Sequence, residues 1–188
     1  MRKVRFAAGK CYHLYNRGVN RQPIFFDAGN WDYFIARMRH YFRPDLIEVL
    51  AYCLMPNHYH LLVHLKHGEL SRRVMHPFSV SYSKAVNRGQ GRVGPLFQGP
   101  FKGKMVDKDE YLTHLSRYIH LNPVLAGLVA HPDEWVYSSY LDYVGRRDGP
   151  LTRPDFILSF FPSPGAYAEY VESYCQADRE VVEHLMLD

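Results

Sequence analysis

Cysteine is scarce in this chain and wrongly spaced for cross-linking: Cys11, Cys53 and Cys175 are odd in number, and no two form a Cys-x-x-Cys pair. That argues against a disulfide framework and a structural zinc knuckle, and predicts reduced, mostly buried thiols. Long apolar runs are missing as well. No stretch approaches the roughly 18 uninterrupted apolar residues of a membrane span, and Met1-Arg2-Lys3-Val4-Arg5 leads into Phe6-Ala7-Ala8-Gly9 without the apolar core of a signal peptide. A cytoplasmic protein is expected. Internal repeats and low-complexity segments are also absent, which removes solenoids and disordered linkers from consideration.

What the chain does have is enough apolar matter for one core with a small appendage: 188 residues, 47% hydrophobic and 15% aromatic. Its charge is divided unevenly. Residues 151–188 hold two basic and seven acidic residues, a net −5, so the first 150 carry +9 of the overall +4. A basic body points to a polyanionic partner, with nucleic acid ahead of membrane because no basic amphipathic helix stands out. The acidic tail either packs on the body as structure, the favoured reading, or folds over the basic groove and competes with that partner.

Patterning predicts alternating strands and helices. Cys11 to Gly18 reads as a strand running into an Asn16-Arg17-Gly18 turn, and Asp27 to Phe42 as a helix with Trp31, Phe34, Ile35, Met38 and Phe42 on one side. Ile47 to Met55 is apolar enough for a buried strand, and Pro56-Asn57 turns it into a second one. Leu70 to Asn87 fits a helix kinked by Pro77, and Phe101 to Val106 an exposed or edge strand. Asp107, three residues ahead of Glu110, predicts a capping box for a helix over Lys108 to Leu121 that Pro123 stops. Beyond residues 146–150, which read as a linker, helices are expected near Pro154 and at Ser163-Pro164. The order strand, helix, strand, strand, helix, strand predicts an α+β, ferredoxin-like split βαβ sandwich with an antiparallel sheet and extra C-terminal helices.

Two positions carry chemistry. His58 and His60, at i and i+2 of a strand, face the same way and supply half of a divalent-metal site. On the later helix Tyr118 and Asn122 are four residues apart and about 40° from each other around the axis, at one edge of the stripe Leu112, Leu115, Ile119. If that stripe packs beside the histidine strand, Asn122 can offer a carbonyl oxygen to a metal and Tyr118 can approach a bound phosphate. His64 lies on the same strand face, which leaves a zinc hydrolase using His58, His60 and His64 as a rival reading.

Three separated segments carry a resemblance: Ala51 to Val63, around Pro56-Asn57-His58-Tyr59-His60; Gly94-Pro95-Leu96-Phe97-Gln98-Gly99; and Arg117 to Val129, around Tyr118-Ile119-His120-Leu121-Asn122-Pro123. In this order and spacing they resemble the REP-associated tyrosine transposases, a branch of the HUH single-tyrosine transposases, from about Cys11 to Val144. The resemblance implies a catalytic domain over 1–150 followed by an acidic helical extension over 151–188. It implies His58, His60 and Asn122 as metal ligands for Mg²⁺ or Mn²⁺ and Tyr118 as a nucleophile that becomes linked to a 5′ phosphate. The implied partner is single-stranded DNA beside a palindromic hairpin, bound by a monomer or a homodimer. A non-cutting hairpin-binding protein is the alternative. Candidate DNA contacts are Arg2, Lys3, Arg5, Arg17, Arg21, Lys84, Arg88, Arg92, Lys102 and Lys104, with Tyr15 and Phe97 as stacking platforms. Tyr59 stands where this family usually has an aliphatic residue, and is expected to point away from the metal into the core.

Overall fold

A computed structural model describes residues 5–186, so Arg2 and Lys3 lie outside the described residues. Four strands, β1 (Cys11–Arg17), β2 (Ile47–Met55), β3 (His58–Leu65) and β4 (Lys102–Val106), form an antiparallel sheet in the order β2-β3-β1-β4. This is the arrangement expected of a split βαβ sandwich. Helices α1 (Ala28–Tyr41) and α2 (His76–Gly89) cover one face. The other face receives α3 (Asp109–Leu125) and the short C-terminal helices α4 (Tyr140–Tyr143), α5 (Asp155–Leu158), α6 (Pro164–Glu172) and α7 (Gln176–Val182).

Local chemistry explains most boundaries. Asp27 caps α1 by accepting from the Asn30 amide at 2.9 Å, and Ser163 caps α6 by accepting from Ala166 at 3.1 Å. Where Pro77 is expected to kink the second helix, Ser71–Met75 instead winds as a π turn that leads into α2 with helical dihedrals at Met75 and His76, and Pro77 sits in the first turn of α2. The third helix differs from expectation at both ends. Its N-cap is Lys108, not Asp107, with no side-chain cap, and Pro123 lies inside it. So near the C-terminus a proline deprives the helix of a single hydrogen bond; the true stop is Gly127, which takes φ +67° while Leu128 donates back to the Pro123 carbonyl at 2.9 Å. Helix α7 was not anticipated, because Val182 is its one buried residue and gives no periodic signal. Of the three free cysteines Cys53 is buried, Cys11 half-buried and Cys175 exposed, so the expected burial fails for Cys175, which caps α7.

Strand β2 is at the edge of the sheet yet reads like an interior strand, because loops close its outer side. Leu54 N donates to Tyr137 O at 3.0 Å, Ser139 N to Tyr52 O at 2.9 Å, and Arg153 N to Val49 O at 2.8 Å, while Trp135 Nε1 reaches Leu54 O at 2.9 Å. Arg147, in the stretch read as a linker, bonds Asp142 through its Nε at 2.6 Å and the Tyr52 hydroxyl at 3.1 Å.

The turn after β1 supports the start of β3. Gly18 N donates to Asn57 O at 2.8 Å, and a Cβ on Gly18 would sit 2.0 Å from the Gln22 carbonyl oxygen. Its φ of −61° is ordinary, so the glycine is required by proximity alone. Gly18→Ala is expected to destabilise the protein by about 2–3 kcal/mol through overpacking against backbone, read as a lower midpoint in urea; an unchanged midpoint would show that the turn yields freely.

Candidate active site

The site forms where the start of β3 meets the C-terminal half of α3. Register sets His58 between Met55 and Arg17, and His60 between Cys53 and Tyr15. Strand alternation turns both imidazoles to the face that α3 covers, with ring centroids 4.9 Å apart. Tyr59 turns the other way, as expected, and packs fully buried against Phe34 and Phe97. From α3 the Tyr118 ring meets His60 edge to face at 5.6 Å, and Asn122 stands beside His58, His60 and Tyr118. One chain thus brings all four groups together. Next to them opens a cleft of about 480 Å³ lined by His58, Tyr118 and Asn122, with Tyr174, Arg179 and Glu183 on the opposite wall.

Each imidazole has one nitrogen engaged and one spare. His58 Nδ1 lies 2.6 Å from Asn57 Oδ1, while Asn57 Nδ2 donates to the Arg21 carbonyl at 3.1 Å. An amide oxygen only accepts, so His58 carries its proton on Nδ1 and a lone pair on Nε2. His60 Nε2 is buried and has no hydrogen-bond partner among the described residues, a deficit of about 1–3 kcal/mol that a ligand would relieve. Asn122 Nδ2 donates to the Tyr118 carbonyl at 2.9 Å, which leaves Oδ1 for a ligand. Two imidazole nitrogens and one amide oxygen fit a divalent cation, Mn²⁺ better than Mg²⁺ by ligand softness. Among the described residues no three His, Cys, Asp or Glu side chains form a group able to hold a metal.

Burial keeps the imidazoles neutral: His58 is pushed down to about 4 and His60 well below its usual range, with Asn122 opposing in part. Burial raises the Tyr118 phenol, while Asn122 and the Arg179 guanidinium pull it back. His64 does not join them. It pairs with Glu48 at 3.2 Å, about 13 Å along the strand from His60 at ~3.3 Å per residue, which removes the three-histidine reading.

Two contributors escape sequence reading. The first is the wall supplied by Tyr174, Arg179, Glu183 and Met186, from the segment whose acidity alone had drawn notice. The second is His13, fully buried, with Nε2 2.9 Å from His60 Nδ1. Parity was the available signal, since His13 pairs with Leu62 and therefore lies diagonally from His60 on the same face.

The proposed DNA contacts scatter. Arg5 and Arg21 are exposed, and Arg21 has φ +59°. Arg17 Nε donates to Gln98 Oε1 at 2.5 Å and, with Lys102, lines a hollow of about 360 Å³ beside β1 and β4. Lys104 Nζ donates to Met186 O at 2.6 Å, so the tail already engages it. Lys84 and Arg88 are exposed on α2, across the sheet from the cleft, and the Arg92 guanidinium covers the Phe26 ring at 5.3 Å. Tyr15 and Phe97 must be withdrawn as stacking platforms. Tyr15 is 1% exposed, packed on His13 and under Lys104; Phe97 is 7% exposed, packed on Tyr59 and Tyr82, so neither ring offers a face to a base.

Comparison with known proteins gives three findings. Residues 8–122, from before β1 through Asn122 and more than half of the chain, match the family described as Transposase IS200 like. A Haemophilus influenzae protein that carries the name REP-associated tyrosine transposase is 26% identical over 103 residues, covering 50% of this chain and 58% of that protein, so the match spans little more than half the relative's length. Among solved structures, a REP-associated tyrosine transposase bound to a REP hairpin is similar in fold with a TM-score of 0.60 at 20% identity, covering 81% of this chain and 94% of that one.

Proposed function

Because the chain belongs to the IS200-like transposase family, we propose that it cuts and rejoins single-stranded DNA beside a hairpin-forming repeat, using Tyr118 as nucleophile. The observation that carries this reading is the meeting of His58, Asn122 and Tyr118 at one cleft, with His60 packed against His58 and Tyr118, within the segment that matches the family. A REP hairpin bound to the fold neighbour supports hairpin DNA as the substrate class.

Tyr118 Oη would lose its proton to solvent in the open cleft and bond to phosphorus as the P–O3′ bond breaks, with the departing 3′ oxygen taking up a proton. The product is a 5′-phosphotyrosine and a free 3′ hydroxyl. Attack by a 3′ hydroxyl on that linkage rejoins the strand without an external energy source, which is what a phenol offers over water. A phenol is a weak nucleophile near its ordinary pKa of about 10, and the Arg179 guanidinium across the cleft favours the phenolate as it forms. A divalent cation, Mg²⁺ or Mn²⁺, held by His58, His60 and Asn122, would supply charge neutralisation at a non-bridging phosphate oxygen. Duplex DNA cannot reach a partly buried phenol without unstacking, which favours a single strand.

The test is an oligonucleotide with a hairpin and a single-stranded flank, incubated with protein and Mn²⁺ and resolved under denaturing conditions. A covalent protein–DNA band is expected with wild type. Chelation with EDTA, His58→Ala or His60→Ala should each reduce it by about 10²-fold or more, the scale on which loss of transition-state charge stabilisation acts. A band that persists in EDTA and in both variants would end the metal-dependent reading.

A further inference from the structure

We propose that His13 is a positioning residue: it holds the His60 proton on Nδ1, so that the Nε2 lone pair is left for a ligand, and it takes its own orientation from the Leu185 backbone carbonyl. This rests on the proposed function in that His60 is taken there as a cation ligand.

The argument follows donors and acceptors along one buried line. His13 Nδ1 lies 2.5 Å from Leu185 O, and His13 Nε2 lies 2.9 Å from His60 Nδ1. A carbonyl oxygen has no proton to give, so at that distance His13 Nδ1 must be the donor; the opposite tautomer would set two lone pairs against each other. A neutral His13 then presents only a lone pair at Nε2. His60 Nδ1 must therefore be the donor to it, and His60 Nε2 is left bare. That nitrogen is the one that is buried with no partner among the described residues. A doubly protonated His13 would reverse the pattern, but it would bury a charge in a fully enclosed position where the charge acting on it is that of Lys104, of the same sign.

The arrangement mirrors the one at His58, where the Arg21 carbonyl orients Asn57 and Asn57 holds the proton on Nδ1. Both imidazoles thus present Nε2, each through an intermediary tied to a backbone carbonyl. At His60 that carbonyl belongs to the C-terminal turn, 172 residues from His13. A ligand whose second nitrogen is held in this way loses less freedom on binding and keeps the correct tautomer. A histidine that merely filled space at position 13 would have no such effect on His60.

Nitrogen-15 histidine labelling of the full-length, metal-free protein tests this directly, because long-range proton–nitrogen spectra report which ring nitrogen bears hydrogen. Wild-type His60 is expected as the Nδ1–H form. In His13→Leu the His60 signals should shift toward the Nε2–H form, and Mn²⁺ affinity by calorimetry should fall by about 10- to 100-fold. His13→Gln keeps both roles, its amide oxygen accepting from His60 and its amide nitrogen donating to Leu185, and should restore the wild-type pattern and an affinity within about threefold of wild type. An Nε2–H His60 in wild type overturns the proposal, as does a His13→Leu protein with an unchanged His60 pattern and unchanged Mn²⁺ affinity. If wild type takes up no Mn²⁺ while His60 responds to His13→Leu as expected, the cation reading fails and the positioning of His60 stands.

Discussion

A Tyr118→Phe protein is expected to bind hairpin DNA with wild-type affinity and to form no covalent adduct, its strand cleavage falling by about 10⁴-fold or more, the scale on which removal of a nucleophile acts. The change removes one oxygen and leaves the ring that meets His60 at 5.6 Å and fills the edge of the α3 stripe. Fold and cleft shape should therefore persist, which separates chemistry from structure. Asn122 also stays in place, because its Nδ2 is bonded to the Tyr118 backbone carbonyl and not to the phenol. The decisive pair of measurements is hairpin binding by fluorescence anisotropy and adduct yield on a denaturing gel. Wild-type adduct yield from Tyr118→Phe would mean that another group attacks.

Arg117→Leu is expected to lower stability by about 3 kcal/mol, as loss of one partner of a largely buried ion pair does, and to loosen α6 and α7 from the rest of the molecule. Arg117 is 2% exposed, pairs with Asp178, donates to the Tyr170 carbonyl at 2.9 Å, and lies 3.9 Å from the centre of the Tyr170 ring. A single guanidinium thereby joins α3 to both helices behind the Arg179 and Glu183 wall. Burial pushes the Asp178 carboxyl up, but the Cys175 backbone amide and Arg117 outweigh it and hold the group below its usual value. A depressed carboxylate stabilises fully at neutral pH and loses its contribution only as pH falls below the ordinary carboxylate range through the lower folded value. The comparison therefore belongs at pH 7, where a melting point about 6–12 °C lower is expected for a chain of this size, with earlier tryptic cleavage after Arg179. Arg117→Lys should not rescue it, since an ammonium cannot make the forked contacts or the same stacking. A variant with the wild-type melting point would mean that the apolar contacts of α6 and α7 suffice.

The elements legible in the sequence were those whose partners are local. His58 and His60 announce themselves through the two-residue period of a strand, and Tyr118 and Asn122 through the turn of a helix, because each pair is set by backbone geometry alone. The sheet order followed from connectivity. What stayed hidden depends on distant backbone: Leu185 O for His13, and the β2 carbonyls and amides that Trp135, Tyr137 and Ser139 satisfy across more than 80 residues. The misreadings at Asp107 and Pro123 came from local rules that position within the helix overrode. Tyr15 and Phe97 misled because an aromatic beside basic residues looks the same in sequence whether its ring is open or covered.

Closure of the outer side of β2 by residues 137–139 and 152–153 determines which border of the molecule can still recruit backbone. A neighbouring chain that extended this sheet would meet β4, whose five residues include Lys102 and Lys104. Charged, short borders resist such growth. Sheet extension is thus denied along β2 and opposed by charge along β4.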